Sequence, residues 1–341
     1  MVLNVAILTK IYNPENTIFL SINVLIFTSI MFCRISKLFE PTRTTLLQQR
    51  LKPILSTRDD TSGIRNSEWQ ASDTPKDLQR RWVEITGPGN DAKMVINALN
   101  SSADGYMLDL EDSMTPTRDN IIQAHQNIRE AVNGTLRVDK YKIHDVTKPI
   151  MHVRPRGLHL PHFDGGSAML YDICEFLEGS AHKMLDNGKQ PCLYIPKLES
   201  YEEAQFVNSV IAECEATLGL KENLVKVTVL IETFPAIFQT DEIIYALKDR
   251  IVGLNCGRWD YLFSMMKSLP KHKFPDRNTL SMSLPFMEAY VQQIVHTCHK
   301  RNIHAMGGMS AFIPSRDNNE KILERVEKDK LLEIKRGCDG A

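Results

Sequence analysis

From residue 81 onward the chain alternates between two kinds of hydrophobic pattern. Short apolar runs rich in β-branched residues fall at 82–85, 106–110, 150–154, 192–195, 225–231, 251–254 and 303–306, and these predict strands. Between them, apolar positions three and four apart predict helices over 92–99, 120–132, 167–186, 201–218, 241–249 and 284–302. Asn133-Gly134, Asn187-Gly188 and Gly219 follow three of these helices, where a C-cap calls for a left-handed residue. Regular strand–helix alternation predicts parallel strands joined by crossover helices. Seven such units fit either a closed (β/α)8 barrel or a large open sheet.

The placement of charge separates the two. Asp109, Glu111 and Asp112 close the second apolar run, and Arg154 and Arg156 the third. Lys197 and Glu199 follow the fourth, Glu232 the fifth and Asp260 the sixth. A barrel gathers the carboxyl ends of all its strands at one mouth, where active sites sit. An open sheet would collect them mainly at one switch point. No GxGxxG or GxxxxGK[ST] element follows the first strand, and TGPG at 86–89 is too short to cradle a diphosphate. The expected fold is therefore an α/β (β/α)8 barrel.

Before residue 81 the pattern is weaker. The run TIFLSINVLIFTSIMFC at 17–33 is uncharged and sits at the short limit for a membrane span. It reads as a signal anchor or, more readily, as an apolar segment docked on the domain or foreign to it. Residues 38–80 are polar, with helical patterning around 44–55. The chain thus divides into an apolar segment at 1–36, a helical clasp or linker at 37–80 and the barrel domain at 81–341.

Composition adds mainly exclusions. The 341 residues carry a net charge of −1, with Lys and Arg dispersed, which excludes a dedicated nucleic-acid surface. The 7 cysteines are odd in number and lack CxxC spacing, as in a reducing compartment.

Two stretches carry the chemistry. IETFPAIFQ (231–239) and RIVGLNCGRWDYLF (250–263) each begin as a buried strand and end at a carboxylate, Glu232 and Asp260. A carboxylate at that position costs several kcal/mol unless paired or bound to metal. Both are hard oxygen ligands suited to Mg²⁺, and no His or Cys cluster suggests zinc or iron. Arg154 is placed to hold a carboxylate or stabilise an oxyanion. Metal-assisted enolate or aldol-type chemistry on a small oxygenated anion is the reaction class that uses these parts.

These stretches, together with VRPRGLHL (153–160), ITGP (85–88), NAL (97–99) and AMGGMSAFIP (305–314), resemble malate synthases of the shorter A type over about residues 38–340. The resemblance implies a TIM barrel with an amino-terminal clasp and a carboxyl-terminal helical domain. It also implies Mg²⁺-dependent condensation of acetyl-CoA with glyoxylate to malate and CoA in the glyoxylate cycle. By that resemblance Glu232 and Asp260 hold Mg²⁺, and Arg154 is catalytic. Gly257, Arg258, Trp259 and Asp260 cradle glyoxylate, and Glu111 and Asp112 support the metal's water shell. Ser113 and Pro314 contact acetyl-CoA.

Two departures stand out. Arg250 replaces the family's usual His, at a place expected to be far from the mouth. The chain also ends at KRGCDGA (335–341), where relatives continue into the eighth strand and the helical domain that supplies the aspartate base. No residue here matches that base, so residual activity at best is expected, and the first and seventh strands are expected to face each other as unpaired edges. A citrate-lyase β-like or malyl-CoA lyase enzyme and a non-catalytic binder of Mg²⁺ or glyoxylate are the alternatives. Among bland readings, Arg156 is expected as a salt-bridge partner, Cys256 as packing, and His159 and His162 as loop hydrogen-bonders. The family's compartments are the peroxisome or glyoxysome and the cytoplasm.

Overall fold

A computed structural model describes residues 17–145, 148–274, 283–309 and 319–341 of the chain. Seven strands form one all-parallel sheet in sequence order: β1 (Glu84–Pro88), β2 (Gly105–Asp109), β3 (Ile150–Arg154), β4 (Cys192–Ile195), β5 (Lys226–Ile231), β6 (Ile251–Cys256) and β7 (His304–Met306). Helices α1 (Thr17–Gln49), α2 (Ala92–Leu99), α3 (Arg118–Val132), α4 (Ala168–Asp186), α5 (Tyr201–Thr217), α6 (Thr240–Ala246), α7 (Arg258–Ser268), α8 (Pro285–Lys300) and α9 (Asn319–Lys335) complete the long elements. Side-chain caps set several helix starts: Asp91, Thr117, Ser167 and Ser200 each accept an N–H three residues on.

Two helical expectations need correction. The helix expected at 241–249 is present as α6 but stops at Ala246, and a 3₁₀ turn at Pro235–Gln239 leads into it. The helix expected around 44–55 is instead the end of α1, which stops at Gln49, shortly before Pro53 disfavours a helical conformation at Lys52.

Period-2 alternation sends one face of every strand inward and the other toward the helices. The outer faces and helices share one large core, with Val153, Ile173, Leu193, Val207, Val229 and Leu254 all inaccessible. Inside, the side chains stack in layers, as in closed barrels. Leu78, Ile150, Cys192 and Val252 form the lowest cluster. Met107, Tyr194 and Leu230 lie above it. There the Tyr194 hydroxyl donates to Glu84 Oε2 (3.1 Å) and accepts from Asn255 Nδ2 (2.9 Å), and Glu84 Oε1 accepts from Arg81 Nε (2.7 Å). The top layer holds Asp109, Arg154 and Glu232.

Residues 339–341 amend the picture of two unpaired edges. They lie between β7 and β1 and bond to both. Asp339 N donates to Ala305 O (2.8 Å) and Gly307 N to Gly340 O (2.7 Å) on one side. Ala341 N donates to Trp82 O (3.1 Å) and Glu84 N to Ala341 O (2.9 Å) on the other. Backbone groups at a sheet edge need partners, and three residues supply them where β1 begins. No full eighth strand forms among the described residues.

From Met31 onward α1 lies on the barrel: Met31, Ile35 and Leu46 are buried, and Arg43 Nε donates to Leu158 O at 2.7 Å. Among the described residues no helix is long and apolar enough to cross a membrane. Arg250, just ahead of β6, is buried on Glu215 and Asn208, at the opposite end of its strand from the mouth.

Candidate active site at the barrel mouth

The site grows from the last residues of adjacent strands. Asp109 and Arg154 are register partners at the ends of β2 and β3. Asp109 turns the following chain back over the mouth, because its carboxylate accepts from Glu111 N and Ser113 N, both at 2.9 Å. Glu111 and Asp112 are thereby aimed at Arg154; neither caps a helix, since α3 starts later under its own cap, Thr117. The buried Arg154 guanidinium meets Asp112 Oδ2 at 2.5 Å, Glu111 Oε2 and Glu232 Oε1 at 3.4 Å, and Asp109 Oδ2 at 3.5 Å.

Glu232, one residue beyond β5, is 3% exposed. Burial pushes its carboxyl up to about 8 despite the nearby Arg154 and Lys197 cations. Burial likewise raises Glu111, against the same two cations. Asp112 behaves oppositely: burial works against its charge, yet Arg154 and Lys197 hold it below the usual carboxylate range. Burial also disfavours the charged forms of Arg154 and Lys197, but the carboxylates around them, Glu232 foremost, more than offset it, and both stay protonated.

Lys197 follows β4 with a left-handed backbone, φ 54°. This turn points its N–H at Glu232 Oε1 (3.0 Å) while its ammonium reaches Asp112 Oδ2 (2.9 Å). The chain after β6 arrives from the other side. Gly257 is the residue before α7, and Asp260 lies in that helix's first turn. Phe234 N donates to Ser264 Oγ at 2.9 Å, tying the segment after β5 to α7.

Asp112, Glu232 and Asp260 each present a carboxylate oxygen, and the three lie within 4.8 Å of one another. On an octahedral Mg²⁺ with bonds of 2.0–2.1 Å, ligand oxygens stand about 2.9 Å (adjacent) to about 4.2 Å (opposite) apart, so a small contraction brings all three into one shell. The donor set is all oxygen, as Mg²⁺ requires. The residues fit the ion.

Arg154, Glu111, Asp112, Glu232, Gly257 and Asp260 thus converge. Trp259 packs against the main core, and the Arg258 side chain turns away to Asp329 (2.7 Å) and Glu333 (3.2 Å) of α9, so what Arg258 brings to the mouth is backbone. Ser113 is exposed on the Asp109 loop, and Pro314 lies outside the described residues. The sequence placed Asp109 and Lys197 at strand ends without giving either a role in the site. The strand-end position that singled out Glu232 is the signal that both share with it. Arg156 is a buried salt-bridge partner of Asp172, with both contacts at 2.8 Å, while Cys256 is buried beside Cys338.

Residues 150–341 match the family model for the malate synthase TIM barrel domain. Over 297 residues the chain is 44% identical to malate synthase of Myxococcus xanthus, covering 82% of this chain and 55% of that one. It is 41% identical over 326 residues to malate synthase A of Escherichia coli (89% and 61% covered) and 44% over 301 residues to the glyoxysomal malate synthase of Cucumis sativus (82% and 53%). The chain therefore spans little more than half the length of these curated relatives. A magnesium and glyoxylate complex of Haloferax volcanii malate synthase shares the fold, with a TM-score of 0.56 at 18% identity over 77% of this chain and 72% of that one.

Proposed function

The chain belongs to the malate synthase family, and on that premise we propose that its barrel mouth binds Mg²⁺ and glyoxylate for condensation with acetyl-CoA to malate and CoA. The carrying observation is the convergence of Arg154, Asp112, Glu232 and Asp260 at the barrel mouth. Asp112, Glu232 and Asp260 would hold the ion, which supplies Lewis-acid polarisation of the aldehyde when bound.

The start of α7 takes the glyoxylate carboxylate. Its first-turn N–H groups lack intrahelical partners and face the positive end of the helix dipole. Arg154, locked by its carboxylates and always protonated, donates to the oxygens on which charge accumulates as the acetyl carbon meets the aldehyde. The acetyl methyl must lose a proton for that bond to form, and no described residue of this chain is assigned that role. Hydrolysis of the resulting thioester then releases CoA. Several relatives are glyoxysomal, which supports the peroxisome or glyoxysome as the compartment.

Titration calorimetry tests the reading. Glyoxylate is expected to bind in the presence of Mg²⁺, and binding is expected to vanish with chelator or in Asp260→Asn. Equal glyoxylate binding with and without Mg²⁺ would refute it. Thiol release from acetyl-CoA, measured in parallel, reports whether this chain also deprotonates the methyl group.

A further inference from the structure

The Lys197 ammonium stands among the same oxygens that would hold the ion. Its Nζ lies 2.9 Å from Asp112 Oδ2, 3.5 Å from Asp260 Oδ2 and 3.9 Å from Glu232 Oε1, with Glu111 Oε2 at 3.5 Å. Three of those four carboxylates are the candidate ligands. The side chain is brought there by a left-handed backbone, φ 54°, a conformation costly for a residue with a Cβ. The same turn fixes the Lys197 N–H on Glu232. Strain held at a charged cluster asks for a purpose.

We propose that Lys197 is an internal rival of the divalent cation: its ammonium pairs with the three ligand carboxylates in the metal-free protein and leaves them when the ion binds. This rests on the Mg²⁺ reading given above. A monovalent side-chain cation keeps Asp112, Glu232 and Asp260 drawn together against their mutual repulsion, so the ligand cluster is preformed. The same contacts must be broken for the metal to enter, so affinity is held down. Once displaced, the ammonium is a free positive charge at the rim of the mouth, on the side from which an anionic substrate approaches.

An ordinary positioning residue around a metal gives the opposite signature. Removing such a residue weakens metal binding by about 10–100-fold. Removing a rival strengthens it.

The test is Mn²⁺ binding by electron paramagnetic resonance and Mg²⁺ binding by calorimetry on the full chain, comparing wild type with Lys197→Met and Lys197→Gly. Removing a unit charge about 4 Å from the ligands is expected to tighten both ions roughly tenfold in each variant. The Gly variant also relieves the left-handed backbone, so it remains informative should the Met variant fold poorly. In the wild type, Mg²⁺ is expected to speed acylation of Lys197 by an activated ester, read by peptide mass spectrometry. Unchanged or weaker ion binding in the variants, or protection of Lys197 by Mg²⁺, overturns the rivalry. A wild-type chain that binds neither ion overturns the Mg²⁺ reading itself.

Discussion

A Cβ built on Gly257 would lie 2.4 Å from the Cβ of Glu232. The start of α7 therefore rests directly on the buried carboxylate after β5. The Gly257 φ of −76° suits any residue, so the requirement is for space. Gly257→Ala must push Glu232 or the α7 start aside. We expect ion binding to weaken by about 10–100-fold, with a stability loss of about 1–3 kcal/mol from overpacking. Unaltered Mn²⁺ binding in this variant would refute the close packing described.

Arg154 spans four carboxylates, and only a planar fork with several donors does so. Arg154→Lys keeps the charge and loses the geometry, so glyoxylate binding should fall by at least about tenfold while the fold persists. Arg154→Gln leaves the carboxylates without their central cation and should cost about 3–5 kcal/mol of unfolding free energy, measured by urea denaturation. Near-native glyoxylate affinity in the Lys variant would show that charge alone suffices.

Asp172 of α4 anchors Arg156 and, through them, the segment after β3. Burial alone would raise its carboxyl, yet Arg156, aided by His125, holds it at about 2. A depressed acid contributes stability that is complete above its unfolded pKa near 3.9 and is lost as pH falls through about 2. Asp172→Asn is expected to cost about 3–5 kcal/mol at pH 7 and to flatten the stability profile between pH 4 and 2. A steep profile in the variant would assign the acid sensitivity elsewhere.

His152 in the barrel interior and His162 beside Arg156 are both held near 4, chiefly by burial. The unfolded chain binds their protons from about 6.5 downward, the native chain only near 4. Their contribution is therefore complete above about 6.5 and shrinks as pH falls to 4, with a slope of at most about 1.4 kcal/mol per pH unit per ring. His152→Gln should remove one such slope from urea unfolding measured between pH 7 and 4.5. An unchanged slope would mean that the ring is protonated in the native barrel.

Closure of the ring depends on Gly340, where a Cβ would lie 1.7 Å from the Arg81 carbonyl oxygen. Backbone does not yield as a flexible side chain does. Gly340→Ala should release residues 339–341, and the Glu84 and Gly307 amides should lose protection in hydrogen exchange. Retained protection would show that the three residues are dispensable for closure.

Much of this protein was legible in its residue order. Strand alternation placed 150–154 and 192–195 as the structure has them, and carboxylates at strand ends named Glu232 and Asp260 before any geometry was known. Gly134 and Gly188 made two helix ends readable, because a left-handed cap is a local signal. Misreadings arose where distant residues decide. The pattern at 44–55 lies in a helix already running from Thr17, and the pairing of residues 339–341 depends on two strands more than 200 positions apart. The sequence alone determined the period of each element and the residue type at each strand end, since both follow from local sterics and the cost of burying charge. Only the tertiary structure decided that Lys197 sits among the three carboxylates and that Glu111 and Asp112 turn inward. Those placements depend on barrel curvature and on Asp109 binding the loop, through-space constraints that no window along the chain contains.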